Sequence, residues 1–445
     1  MKQSLNEGSV LKNLIYFSLP FMLSSFLQTL YGLVDLYIIG MFHGSECISA
    51  VSMGSQVTHM LIVIIIGLSM GVSVGISRAI GAKNYDKIKT IVKNGIVLFL
   101  VLSFILMISL LFGCDLILKL LATPIEAYMQ AKNYLLTCFV GIPFIVFYNF
   151  FSSIYRGLGD SKTPMYFVVI AGILNIILDY VFVGILFMEA FGAALATMIS
   201  QAVSAILAFI VLQRRHQIFS FTKKITLYEK NIMYDLLKVG CPIAFQDGLI
   251  QIAFLTITMI ANTQGVDVSA SVGIVEKIIG FVFLIPSAML ASVSAICAQC
   301  AGANLHKRSK QTLQYAMIIC LLCGFVFVII CTLMPNTIMA LFTNSSIVIY
   351  LGSTYLLSYI WDCMIAGVHF CFSGYFCAYE KSMLSFVHNI VSIVVMRIPG
   401  AYLASLFFKD SLFMMGMAAP LGSLISVIIC VYFYKKYYNS FYKVV

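Results

Sequence analysis

LIYFSLPFMLSSFLQTLYGLVDLYII, residues 14–39, carries one formal charge, Asp35. About 20 apolar residues suffice for a helix to cross a hydrocarbon core of about 30 Å. The stretch is therefore read as a membrane-spanning helix. It follows Lys12 without a small-residue cleavage site, so it is taken as the first span rather than a cleaved signal. Eleven further runs of this kind are found, at 48–76, 92–113, 134–155, 164–187, 192–212, 235–260, 269–297, 312–334, 350–376, 384–407 and 414–434.

Composition agrees with that reading. The 445 residues are 61% hydrophobic and only 10% charged, with a mean hydropathy of +1.02, where soluble domains carry about 25% charged residues. The runs are too long and continuous for the alternating segments of a membrane β-barrel. An all-α integral membrane protein of twelve transmembrane helices is expected. The net charge of +10 does not point to nucleic acid. With the N-terminus inside, 22 of the 27 Lys and Arg fall in the termini and even-numbered connections, against Lys119, Lys132 and Lys409 on the other side. This asymmetry predicts a multi-pass protein of the cytoplasmic membrane with both termini in the cytoplasm.

Thirteen cysteines include two CxxC pairs, Cys297 with Cys300 and Cys320 with Cys323. Inside apolar helices that spacing stacks small, soft side chains on one face, so packing is the expected role rather than zinc or redox chemistry. Internal similarity is more informative. IGAKNYDKIK from Ile80 aligns with AGANLHKRSK from Ala301, an offset of 221, and the same offset pairs Tyr134 with Tyr355. Two six-helix lobes are expected, 1–215 and 231–445, joined by a basic cytoplasmic linker at 216–230. An even number of spans per lobe relates the lobes by a pseudo-two-fold axis along the membrane normal, the plan of many secondary transporters.

Five acidic residues lie within spans: Asp35, Asp179, Asp247, Glu276 and Asp362. Glu276, beside Lys277 and with Arg397 in reach, suggests structural pairing. Asp179 is different, because Asn175 precedes it by four residues and stacks an amide on the same helix face. At the offset of 221, Asn175, Asp179 and Asp35 fall opposite Met396, Gly400 and Thr256. Polar groups kept in one half only point to a task rather than to a shared scaffold. Two carboxylates brought together at low dielectric cannot both remain ionised unless a proton or metal cation joins them.

These residues resemble the MATE family, the multidrug and toxic compound extrusion transporters, and its DinF-like and MepA-like members more than its NorM-like ones. The resemblance rests on Gln28, Tyr31, Val34, Asp35 and Gly40, on Ala50, Ser52 and Gly54, on IGAKN at 80–84, YRGLGDSKTP at 155–164, NIILDY at 175–180 and GAALAT at 192–197. It implies a two-lobed secondary exporter that exchanges H⁺ or Na⁺ for lipophilic, often cationic compounds by alternating access. It also implies a cation site at Asp35, Asn175, Asp179 and Thr197, and a first helix that bends at Pro20. Gln28, Tyr31 and Asn149 are the candidate substrate-cavity residues. The NorM-like carboxylate of the tenth helix falls on Ala366, one turn beyond Asp362, and that of the seventh is not clearly matched by Asp247. Coupling through the first lobe is therefore favoured. No cofactor, nucleic acid or obligate protein partner is implied, and no HExxH, GxSxG or P-loop pattern points to an enzyme. The alternative is a flippase of lipid-linked saccharide or another amphiphile. Such a protein would want a cationic cavity, whereas the basic residues here lie almost wholly in loops.

Overall fold

The computed structural model describes residues 5–121, 123–215, 229–408 and 411–438. The linker expected at 216–230 lies, apart from Glu229 and Lys230, outside these residues. Seventeen helices follow in order among the described residues: α1 (Val10–Phe42), α2 (Ser45–Gly81), α3 (Tyr85–Leu120), α4 (Ile125–Val140), α5 (Ile142–Gly157), α6 (Lys162–Asp179), α7 (Glu189–Arg215), α8 (Lys230–Asn262), α9 (Val266–Val282), α10 (Leu284–Gly302), α11 (His306–Leu333), α12 (Pro335–Ala340), α13 (Ser346–Tyr359), α14 (Trp361–Ala378), α15 (Ser382–Ser392), α16 (Ile398–Phe407) and α17 (Phe413–Lys436). No strand occurs among the described residues. Eleven helical segments are long and apolar enough to cross a membrane, or twelve when α4 and α5, bent by 46° at Gly141, are taken as one span. Pro143 at the start of α5 supplies the cause of that bend, since it cannot donate a backbone hydrogen bond to the preceding turn. All twelve expected spans are thereby matched.

Two compact units are present, Leu19–Gly240 and Met1–Ser18 with Cys241–Val445. The divisions fall inside helices rather than in the basic linker. α1 changes unit beside Pro20 and α8 beside Pro242, each where a missing N–H weakens the helical ladder.

The first of these units is built on large apolar side chains such as Phe99, Phe139, Phe150 and Tyr155, all buried. α8 enters it along α2, and the crossing is backbone on backbone. A Cβ at Gly71 would lie 2.1 Å from the Leu236 carbonyl oxygen, and one at Gly240 would lie 2.2 Å from that of Leu68. The start of α8 is fixed by the Glu229 N–H, which donates to Asn94 Oδ1 at 2.9 Å. RGLGD at 156–160 makes a tight turn, with Gly159 at φ +85°. Asp160 there accepts from the N–H groups of Lys162 and Thr163 at 3.1 and 2.9 Å, capping α6.

The second unit buries Val272, Val275, Ile279, Tyr355 and Tyr359 among its core. Its N-terminal segment is held by Arg308, whose guanidinium donates to the carbonyls of Leu5, Glu7 and Gly8. Among the described residues each unit also contains one π-helical segment, Tyr180–Ile185 and Ile393–Arg397. Both adjoin a residue singled out by its charge, Asp179 in one and Arg397 in the other.

Candidate functional site

α6 ends at Asp179 and passes directly into the π segment. Such widened turns are frequent where a side chain is re-aimed for function. Asn175 precedes Asp179 by one α-helical turn and shares its face. Asp35 projects from the C-terminal half of α1 and Thr197 from the third turn of α7. The fold brings these four together. The Asp35 carboxylate is set against that of Asp179 and the Thr197 hydroxyl, and Asp179 in turn against the Asn175 amide.

Burial is close to complete for three of the four: Asp179 is 0% exposed, Asn175 4% and Asp35 5%. The contacts nevertheless do not form completed hydrogen bonds. Asp35 Oδ1, Asn175 Nδ2, both Asp179 carboxylate oxygens, Thr197 Oγ1 and Ser200 Oγ are all buried without a partner. A buried polar group left unpaired costs about 1–3 kcal/mol, and more when charged. Those of Asp35, Asn175, Asp179 and Thr197, drawn from three helices and set against one another, are groups that a proton or a cation could satisfy. Tyr134 closes one side. Its hydroxyl lies 3.0 Å from Ser55 Oγ, and its ring occupies the space over Gly54, where a Cβ would meet it at 2.2 Å.

The candidate cavity residues are placed differently. Tyr31 is half-buried and its hydroxyl donates to the Val168 carbonyl of α6. Its ring lies where a Cβ of Gly172 would be, so it joins α1 to α6. Asn149 is buried and returns its amide to the Ile145 carbonyl of its own helix at 2.9 Å. Gln28 is half-buried. Ser24 donates to the Pro20 carbonyl at 2.9 Å.

The acidic residues of the second unit follow another logic. Arg397 Nη2 donates to Asp362 Oδ2, and both side chains are buried. The Arg397 guanidinium also stands 5.8 Å over the Phe254 ring, and its charge reaches Glu276, which accepts from Thr258 at 2.9 Å. The pairing expected for Glu276 thus goes to a hydroxyl, with Arg397 committed to Asp362. Lys277 beside it is exposed. Asp247 is half-buried and lies 3.5 Å from the amide of Gln246. All thirteen cysteines are free thiols, and neither CxxC pair belongs to a group able to hold a metal among the described residues.

Tyr134, Ser55 and Ser200 were not singled out from sequence. Tyr134 could have been, through its repeat partner Tyr355, and Ser200 through its spacing of three from Thr197.

The MatE family model matches residues 20–181 and 242–403, one segment in each half. These segments begin at Pro20 and Pro242, the prolines inside α1 and α8. The chain is 26% identical over 441 residues to a probable multidrug resistance protein, YoeA, of Bacillus subtilis, covering 97% of this chain and 95% of the relative. It is 28% identical over 370 residues to the multidrug export protein MepA of Staphylococcus haemolyticus, covering 83% and 81%. A solved structure described as the outward-facing conformation of a multidrug resistance MATE family transporter superimposes with a TM-score of 0.90. It is 23% identical, and 99% of this chain and 98% of that one are covered.

Proposed function

Since the chain belongs to the MatE family of multidrug transporters, we propose that it is a secondary exporter coupled to H⁺ or Na⁺. Lipophilic, often cationic compounds leave by alternating access while Asp35, Asn175, Asp179 and Thr197 hold the coupling cation. The observation that carries this reading is the set of six buried, partnerless polar atoms on α1, α6 and α7. Two of these side chains are carboxylates, which cannot both keep their charge at low dielectric without a cation. Carboxylate, amide and hydroxyl oxygens together suit a hard ion or a proton.

Occupation changes the local charge by one unit and relieves the repulsion between α1 and α6. Pro20 gives α1 a weak point at which to respond. Each positive charge entering down a potential of 100 mV releases about 2.3 kcal/mol. At about 1.4 kcal/mol per tenfold, that sustains a solute gradient of roughly 50-fold. The relatives' descriptions, multidrug resistance and multidrug export, support the solute class. The excess of basic residues in termini and even-numbered connections supports a cytoplasmic-membrane location with both termini inside.

The test is dye efflux from proteoliposomes under a pH gradient or a Na⁺ gradient imposed separately. Wild type should respond to at least one gradient, and Asp35→Asn and Asp179→Asn should each abolish that response. Undiminished gradient-driven efflux by both variants would overturn the assignment.

A further inference from the structure

A second cluster lies two helical turns from the carboxylate site, on the same helices. His43, Cys47 and Glu189 meet where α1 leads into α2 and where the π segment leads into α7. One ligand atom from each lies within 4.8 Å of those of the other two. Asp35 precedes His43, and Glu189 precedes Thr197, by eight residues, about 12 Å of helix.

Each of the three is held from behind. His43 Nε2 lies 3.1 Å from the Val183 carbonyl of the π segment. A carbonyl can only accept, so Nε2 bears the proton and Nδ1 keeps its lone pair. The Cys47 sulfur is buried and faces the backbone N–H of Ala190, in the first turn of α7; a bound metal ion would itself supply the charge that holds this sulfur as a thiolate. Glu189 is exposed and accepts from the side-chain amide of Gln130 on α4 through one carboxylate oxygen, leaving the other. Phe187 and Glu189 both take left-handed backbone conformations, φ +52° each, so the chain turns sharply just where Glu189 is presented.

Hydrogen bonds that fix a histidine tautomer and orient a carboxylate and a thiolate are the support that metal ligands require. A donor set of imidazole nitrogen, thiolate and one carboxylate suits Zn²⁺ and its borderline neighbours, not Ca²⁺ or Mg²⁺. Metal–ligand bonds of about 2.0–2.3 Å place tetrahedral ligand atoms about 3.3–3.8 Å apart. Rotations of exposed Glu189 and half-buried His43 toward Cys47 close the difference.

We propose that His43, Cys47 and Glu189 form a Zn²⁺-class site, with the fourth position open to water, at the end of this lobe opposite its basic loops. A bound ion ties the α1–α2 connection to the start of α7, and so ties together two of the helices that frame Asp35 and Thr197.

The test uses the full-length protein in detergent, stripped with chelator and titrated with Co²⁺, then with Zn²⁺ as competitor. One equivalent of Co²⁺ should give a thiolate-to-metal charge-transfer band that Zn²⁺ removes. Cys47→Ser should abolish the band, and His43→Ala and Glu189→Gln should weaken binding at least tenfold. Cys241→Ser, altering a half-buried thiol elsewhere, and Asp179→Asn should bind as wild type, which separates this site from the transport assignment. No band in the wild type, a band that survives Cys47→Ser, or unchanged affinity in both of the other variants would overturn the proposal.

Discussion

Arg397→Met asks whether the buried cation of the second half acts as a fixed counter-charge. Arg397 ends the π segment of the second half, as Asp179 immediately precedes that of the first. The guanidinium side chain is 8% exposed and that of Asp362 0%. Methionine keeps the unbranched apolar stem and removes the charge, leaving Asp362 buried with Oδ1 already unpaired and the Ser423 hydroxyl as its remaining neighbour. Glu276 loses the same positive charge. Removing one partner of a buried ion pair costs about 3–5 kcal/mol, because the other is stranded. For a unit of about 200 residues, 1 kcal/mol moves the melting temperature by about 2–4 °C. The variant should therefore lose roughly 6–20 °C, read as the fraction remaining monodisperse by size exclusion after heating in detergent. Asp362→Asn in the same chain removes the stranded charge and should recover at least half of the loss. A variant within about 2 °C of wild type, or a double variant no better than the single one, would refute the claim that Arg397 acts as a fixed counter-cation.

Two further outcomes follow from the first lobe. Thr197→Val keeps shape but removes one of the four oxygen donors, a loss of about 1–2 kcal/mol; the concentration of coupling ion giving half-maximal efflux should rise about 5–30-fold, with turnover at saturation retained, and an unchanged concentration dependence would exclude the hydroxyl from the site. Gly71→Val would place a Cβ 2.1 Å from a backbone carbonyl of α8 that cannot move cheaply; the yield of monodisperse protein should collapse, while Gly113→Val, with nothing within 4 Å, should express normally.

The number, length and class of the spans were legible because lipid imposes one requirement on every segment: a continuous apolar run with its backbone satisfied internally. That requirement is read residue by residue and needs no partner. Asp35, Asn175 and Asp179 were legible for the converse reason, since polar groups at that depth are costly and therefore conspicuous. Thr197 was not, because a hydroxyl can satisfy itself on its own helix and leaves no signal; it entered through resemblance alone.

The exchange of helix ends between the compact units was invisible for a different reason. Sequence marks Pro20 and Pro242 as weak points of their helices, but which unit a helix end packs against depends on distant contacts such as those of Arg308 with Leu5 and of Gly71 with Leu236. The Arg397 and Asp362 pair shows the limit most clearly. Both residues were seen, and Arg397 was matched with Glu276, the acid beside Lys277. The π segment Ile393–Arg397 alters the helical phase just before the guanidinium, and no propensity argument reveals such a widening. This one widened turn ends on the guanidinium that pairs with Asp362. By the same logic, the π segment after Asp179 presents the Val183 carbonyl to His43. A local departure from α-helical winding thus fixes which polar groups meet in each half. In the first it follows Asp179, whose two carboxylate oxygens are buried without a partner, whereas in the second it ends on a cation that the chain supplies itself.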